Sequence, residues 1–193
     1  MPIVVSRTPL EGVLLIDPPI FPDGRGFFME SWNHRAYSEA GIPYVFVQDA
    51  HSGSTQGVLR GLHYQDDTAP LCKLVRCTIG RVFDVAVDLR SGSPTFGHWF
   101  GVELTAENKR QVLVPVGFAH GFQTLSEYAE VQYKQTDFYT PSAERVLMWN
   151  DPDVAVRWPI ADPVVSERDA GGGSFADYRR APVFSYPVVT NTR

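Results

Sequence analysis

The sequence predicts an all-β sandwich or barrel, and three observations carry that prediction. Hydrophobicity runs with period two: Phe83, Val85, Val87 and Leu89 fall on one face of a strand, and Val82, Asp84, Ala86 and Asp88 on the other. Short runs rich in β-branched and aromatic residues recur at roughly ten-residue spacing, as in small sandwiches and barrels. Sixteen glycines and fifteen prolines in 193 residues exceed the usual share of ~12%, which implies many turns.

In chain order, the polar run 33–40 is the clearest helix candidate, and Gly41 closes it at a position that favours glycine. Strands are predicted at 45–48, 73–79, 81–89, 100–104, 111–116 and 129–135. Breakers separate them: Gly80, the stretch Ser91-Gly92-Ser93-Pro94, Pro115 with Gly117, and Pro141. No second domain, internal repeat or long low-complexity segment is visible, and a chain of this length can bury about 70% of its unfolded surface. The expected organisation is one domain over 1–170 followed by a tail, 171–193. The run Ala170-Gly171-Gly172-Gly173-Ser174 at its start is expected to be flexible, and the rest to be an arm on the domain or a partner subunit or a frayed end.

The net charge of −5 argues against a nucleic-acid partner, which calls for a basic stripe, but leaves room for an anionic small ligand held by a few local cations. Cys72 and Cys77 are five apart in a strand-like run, so they point to opposite faces and form neither a disulfide framework nor a zinc motif. Apolar stretches fall far short of the ~20 residues that span a bilayer, and residues 1–7 lack a signal-peptide pattern. A cytoplasmic protein is expected.

Of the five histidines, His34 and His98 sit in polar or turn-rich surroundings and read as surface residues, and His51 could go either way. His63 and His120 each sit among apolar residues and glycines, in Leu59-Arg60-Gly61-Leu62-His63-Tyr64 and Gly117-Phe118-Ala119-His120-Gly121-Phe122. Alone, each is most simply a satisfied core histidine; two in one barrel point to the mouth, a preferred ligand site. Tyr133 shares a face with Val131 and Gln135, while Arg60, Lys73 and Arg76 add cations on apolar strands. Singly these are core aromatics and exposed charges. Together they would suit proton transfer on an anionic ligand. Metal-binding cupin barrels use a His-x-His pair, but the first site here reads His63-Tyr64-Gln65, so no metal is expected.

Further motifs follow along the chain: Phe21-Pro22-Asp23-Gly24-Arg25-Gly26-Phe27-Phe28-Met29-Glu30, Gly57 to Gln65, Lys73-Leu74-Val75-Arg76, Val82 to Asp88 and Gly117 to Phe122. Tyr133-Lys134, Trp149-Asn150-Asp151-Pro152 and Ser166-Glu167-Arg168-Asp169 complete a series over roughly 8–170. In order and spacing these motifs resemble those of the dTDP-4-dehydrorhamnose 3,5-epimerase family. The resemblance implies a cupin-like jelly-roll β-barrel with short peripheral helices, a homodimer, and no cofactor. It implies inversion of C3 and C5 of dTDP-4-dehydro-6-deoxy-D-glucose through enolates, giving dTDP-4-dehydro-β-L-rhamnose. By the same resemblance His63 is the base, Asp169 its partner, Tyr133 the acid and Lys73 the stabiliser of the enolate oxygen. Arg60 and His120 would line the sugar and phosphate region. Arg25, Phe28 and Glu30 would hold the nucleotide across the dimer interface, with Gln48 and Tyr139 close by. One departure stands out: family members usually read Gln-Asp-Asn where this chain has Gln48-Asp49-Ala50. A single-centre epimerase and a non-catalytic sugar-nucleotide binder are the rivals. Retention of both His63 and Tyr133 speaks against the binder, because binding alone needs no base and acid.

Overall fold

The computed structural model describes residues 2–187. Among these residues fifteen strands and three short helices follow one another. The first four strands are β1 (Val4–Arg7), β2 (Leu14–Asp17), β3 (Phe21–Asp23) and β4 (Gly26–Phe28), followed by helix α1 (His34–Glu39). Next come β5 (Gln48–Thr55), β6 (Leu59–Gln65), β7 (Lys73–Ile79), β8 (Arg81–Asp88), β9 (Arg90–Ser91) and β10 (Trp99–Thr105). The chain continues through β11 (Gln111–Val114), β12 (Phe118–Thr124), β13 (Tyr128–Gln135) and β14 (Glu144–Val146), then α2 (Glu167–Ala170), α3 (Phe175–Arg180) and β15 (Phe184–Ser185). A six-stranded sheet in the order β1-β2-β11-β7-β13-β5 faces a five-stranded sheet in the order β10-β8-β12-β6-β14, the two-layer arrangement of a cupin-like jelly roll. Among the described residues no helix is long and apolar enough to cross a membrane.

The period-two pattern explains the layering. Inward-facing Val75, Val112 and Val131 of the large sheet meet Val82, Ala86, Leu104 and Phe122 of the small one in a shared core. The alternate residues of the small sheet, among them Leu62, Val85, Val87 and Ala119, face outward. There they are covered by Leu147, Val154, Phe175, Tyr178 and Phe184. Outward Ile16, Leu74 and Leu113 of the large sheet pack under Tyr37 and Ile42, in and just after α1. Cys72 and Cys77 are free and lie in separate clusters, as their odd spacing requires.

The helix at 33–40 forms as expected. Asn33 caps it by accepting a hydrogen bond from the Ala36 N–H at 3.2 Å, and Gly41 takes φ +90° just beyond its end. The strand at 73–79 has the expected bounds. The strand expected at 45–48 is displaced: β5 starts at Gln48, and Val45 and Val47 are exposed. The glycine run expected to be flexible is packed. Gly173 N–H donates to the Val146 carbonyl and Met148 N–H to the Gly173 carbonyl, while a Cβ on Gly172 would come within 2.8 Å of the Met148 nitrogen. Beyond it, α3 and β15 close the outer face of the small sheet, with Tyr178 Oη donating to the Leu89 carbonyl at 2.8 Å. The part of the expected tail over 188–193 lies outside the described residues.

Two strands, β6 and β12, carry the paired histidines, and their glycines explain how. A Cβ on Gly61 would sit 2.6 Å from the Gly121 Cα, and one on Gly121 would sit 2.7 Å from the Arg60 carbonyl oxygen. Only glycine at both positions lets the strands approach this closely. The ladder shifts register between His120 and Phe122, and His63 and His120 become direct cross-strand neighbours.

Candidate active site

At one end of the sandwich the inner faces turn from apolar to polar and enclose a cavity of about 350 Å³. The small sheet supplies Arg60, His63, His120, Phe122 and Glu144; the large sheet supplies Gln48, Ala50, Ser52, Lys73, Tyr133 and Gln135. The same alternation that buries Val75 and Val131 brings Lys73 and Tyr133 inward, because each lies two residues from a core valine.

His63 Nε2 lies 2.6 Å from Asp169 Oδ1, and the second carboxylate oxygen accepts the Gly61 N–H at 3.3 Å. Asp169 itself is fixed in a single helical turn: Ser166 Oγ accepts its N–H at 3.1 Å. Burial works to raise the Asp169 pKa, but His63, the Gly61 N–H and Arg168 together hold it below the usual carboxylate value. With Nε2–H directed at a carboxylate, a neutral His63 ring carries its lone pair on Nδ1. His120 repeats the arrangement, its Nε2 lying 3.0 and 2.9 Å from the two oxygens of buried Asp84.

Across the cavity, burial raises the Tyr133 pKa, while the nearby Arg60 charge works to lower it. Such a phenol stays protonated at neutral pH and is able to donate. Lys73 Nζ sits 5.8 Å from the centre of the Tyr133 ring. Loss of solvent around the Lys73 ammonium lowers its pKa to about 8, against the opposing pull of Glu144 and Asp84. The side chain is half-buried, reaching the cavity with its charged end.

Gln48, Arg60, His120 and Tyr139 also line the cavity. Arg60 is aimed by Ser54 Oγ, which accepts from its Nε at 3.0 Å. Gln48 Oε1 accepts the Tyr139 N–H at 3.0 Å, which ties down the loop carrying that ring. Arg25, Phe28 and Glu30 do not line this cavity within the chain. They lie on and just after the β3–β4 hairpin, where Arg25 pairs with Asp23 and Phe28 is 65% exposed.

Sequence reasoning missed several lining residues. Glu144 receives two hydrogen bonds from Arg168, both at 2.7 Å, and a third from Tyr139 Oη. Arg168 precedes Asp169 in the Ser166-Glu167-Arg168-Asp169 motif, which was the available signal; Glu144 lies on a three-residue edge strand with no periodicity to mark it. Gln135 and Ser52 also face the cavity, and Gln135 Nε2 and Ser52 Oγ are buried without a hydrogen-bond partner among the described residues.

The family profile described as dTDP-4-dehydrorhamnose 3,5-epimerase matches residues 7–177. The chain belongs to that family. It is 59% identical over 174 residues to the dTDP-4-dehydrorhamnose 3,5-epimerase of Pseudomonas aeruginosa, covering 89% of this chain and 96% of that one. The crystal structure of dTDP-6-deoxy-D-glucose-3,5-epimerase from Legionella pneumophila, in complex with dTDP-4-keto-L-rhamnose, superimposes with a TM-score of 0.90. It shares 45% identity and covers 95% of this chain and 98% of its own. A 3′-monoepimerase from Streptomyces bikiniensis, solved with dTDP-quinovose, reaches a TM-score of 0.85 at 31% identity, over 92% and 91% of the two chains.

Within this epimerase family the present chain's Ala50 takes on structural meaning. It is the cross-strand neighbour of Tyr133 and lines the cavity, so the missing amide would have stood beside the phenol. Among the described residues no group of three or more His, Cys, Asp or Glu is disposed to hold a metal ion. The Nε2 atoms of His63 and His120 are each directed at an aspartate.

Proposed function

We propose that the protein inverts C3 and C5 of dTDP-4-dehydro-6-deoxy-D-glucose, giving dTDP-4-dehydro-β-L-rhamnose. The C4 ketone acidifies the hydrogens on both flanking carbons. His63 takes the proton, the C–H electron pair moves into the ring, and the C4 oxygen becomes an enolate. Lys73 steadies that charge, and Tyr133 returns a proton from the opposite face, which inverts the centre. Asp169 orients His63 and stabilises the imidazolium. Every step is a proton transfer between carbon and a side chain of this protein, so the scheme calls for no cofactor.

One observation carries this reading: His63, held by Asp169 of α2, comes from one sheet and Tyr133 from the facing sheet, around a single cavity. A ring held between the layers would meet base and acid on opposite faces. Arg60, His120, Gln48 and Tyr139 are proposed to hold the dTDP-linked sugar. Arg25, Phe28 and Glu30 are proposed to act on the cavity of a second copy in a homodimer, which agrees with their exposure on a hairpin outside their own cavity. Residues 1–170 are read as a single epimerase domain and the protein as cytoplasmic.

Proton NMR of the protein with dTDP-4-dehydro-6-deoxy-D-glucose in D₂O tests the proposal. Exchange at C3 and C5 is the expected result. Exchange at one carbon alone makes this a single-centre epimerase, as the Streptomyces relative is named. No exchange at either refutes the catalytic reading.

A further inference from the structure

Gln135 is 5% exposed, and its side-chain nitrogen is buried with no hydrogen-bond partner among the described residues. Buried amides are almost always paired, because an unpaired donor forfeits its bond to water without replacement. An exception inside a ligand cavity therefore needs a reason. The position supplies one. Gln135 is the direct cross-strand neighbour of Lys73 and, on the other side, of Gln48. Directly opposed residues in an antiparallel pair carry side chains on the same face, with Cβ atoms about 4.5–5.5 Å apart. Lys73 and Gln135 thus reach into the cavity side by side, and Tyr133 lies two residues earlier on the strand of Gln135. A half-turn of the terminal amide exchanges its nitrogen and oxygen, so either end can be offered to a ligand.

We propose that Gln135 is a second hydrogen-bond donor to the C4 oxygen of the bound 4-keto sugar, completing with Lys73 an oxyanion site for the enolate. The inference rests on the epimerase reading above. As the C–H bond breaks and the proton passes to His63, the electron pair moves onto the C4 oxygen. Gln135 supplies a hydrogen bond there and transfers no proton. Two donors suit this chemistry, because the charge must be held on one oxygen during both inversions. None of the protein's described groups meets this donor, so an acceptor that arrives with the substrate completes its bonding at the site of the developing charge.

The arrangement makes an unusual pair of predictions. C4 flanks both reacting carbons, so Gln135→Met should slow exchange at C3 and C5 by the same factor. That factor should be about 10²–10³, the usual loss for one oxyanion donor. Thermal stability should hold or rise, because an unpaired buried donor is replaced by an apolar chain of similar size. The experiment measures deuterium incorporation at each carbon by NMR, with thermal melts alongside. Gln135→Leu serves as a second apolar variant should the first fold poorly. Exchange within threefold of wild type at both carbons would overturn the proposal. So would loss at one carbon only, or an equal loss with a lowered melting temperature in both variants. Wild-type protein is run first; absence of exchange there refutes the epimerase reading itself and is distinguishable from any result with the variants.

Discussion

Replacing Asp169 by asparagine keeps the shape of the side chain but removes one acceptor from a position that serves two donors. The carboxylate meets His63 Nε2–H on one oxygen at 2.6 Å and the Gly61 N–H on the other at 3.3 Å. An amide has one oxygen and one NH₂, so it can satisfy only one of them. With the amide oxygen toward Gly61, the NH₂ faces His63 Nε2, which must become the lone-pair nitrogen. The ring proton then moves to Nδ1, the atom proposed to act as base. With the oxygen toward His63, the NH₂ opposes a buried backbone N–H, a donor–donor contact. Either way the negative charge that would stabilise the imidazolium is gone. A positioned general base contributes about 10²–10⁴-fold, so kcat should fall at least about 10²-fold, or about 2.7 kcal/mol in activation free energy. KM should change little. Deuterium exchange at C3 and C5, steady-state kinetics and a melting curve at pH 7.5 make the assay. The depressed Asp169 pKa contributes stability that is present above the ordinary value of 3.8 and lost as pH falls through the folded value, so it is in full force at that pH. An Asp169→Asn variant with kcat within threefold of wild type would refute the dyad.

Tyr133→Phe should lower exchange at both carbons by about 10²–10⁴-fold while leaving the melting temperature within a few degrees, because the ring keeps its packing. Activity should decline as pH rises through about 8, where the Lys73 ammonium loses its proton. A rate profile from pH 6 to 10 checks this, and a profile flat through pH 9.5 would show that the charge on Lys73 is not required. Gly121→Ala should destabilise the fold and impair the site together, since its methyl would meet the Arg60 carbonyl at 2.7 Å and push β6, with His63, away from β12. Equal activity and stability in that variant would count against the close approach. Chelator treatment should leave exchange unchanged, and a loss restored by zinc or iron would require a metal-dependent route.

Legibility of this fold in the sequence followed how far alternation and apolarity coincide. β7 could be read to its ends because its core residues alternate and Gly80 terminates it. β5 escaped because Gln48-Asp49-Ala50-His51-Ser52-Gly53-Ser54-Thr55 has no apolar face: its inward positions line a cavity in place of a core. β6 and β12 were obscured by Gly61 and Gly121, which resemble turn signals but serve close strand approach. The glycine run at 171–173 misled in the same way: Gly172 sits where a Cβ would meet Met148. For the cavity, the shared face of Tyr133 and Gln135 was visible from spacing alone. Convergence of His63 with Asp169, 106 positions apart, was not visible from spacing. The pairing of Glu144 with Arg168 depends on an edge strand that only the folded chain brings beside α2.

The two-layer architecture bears directly on the stereochemistry proposed. Facing sheets pack about 10 Å apart, a gap wide enough for a sugar ring in place of core side chains. Inversion needs a base and an acid on opposite faces of that ring, and residues on one sheet alone would approach from one side. Here the inward alternation of β6 brings His63 from one layer, and that of β13 brings Tyr133 from the other. The groups proposed to act at the ring's edge, Lys73 and Gln135, stand next to each other on β7 and β13. Under the proposed mechanism both inversions would reuse one oxyanion site, with C3 and C5 presented in turn to the same pair of proton carriers. The division of labour follows from strand pairing, so a variant that shifts register by one residue should turn these side chains away from the cavity and abolish exchange at both carbons.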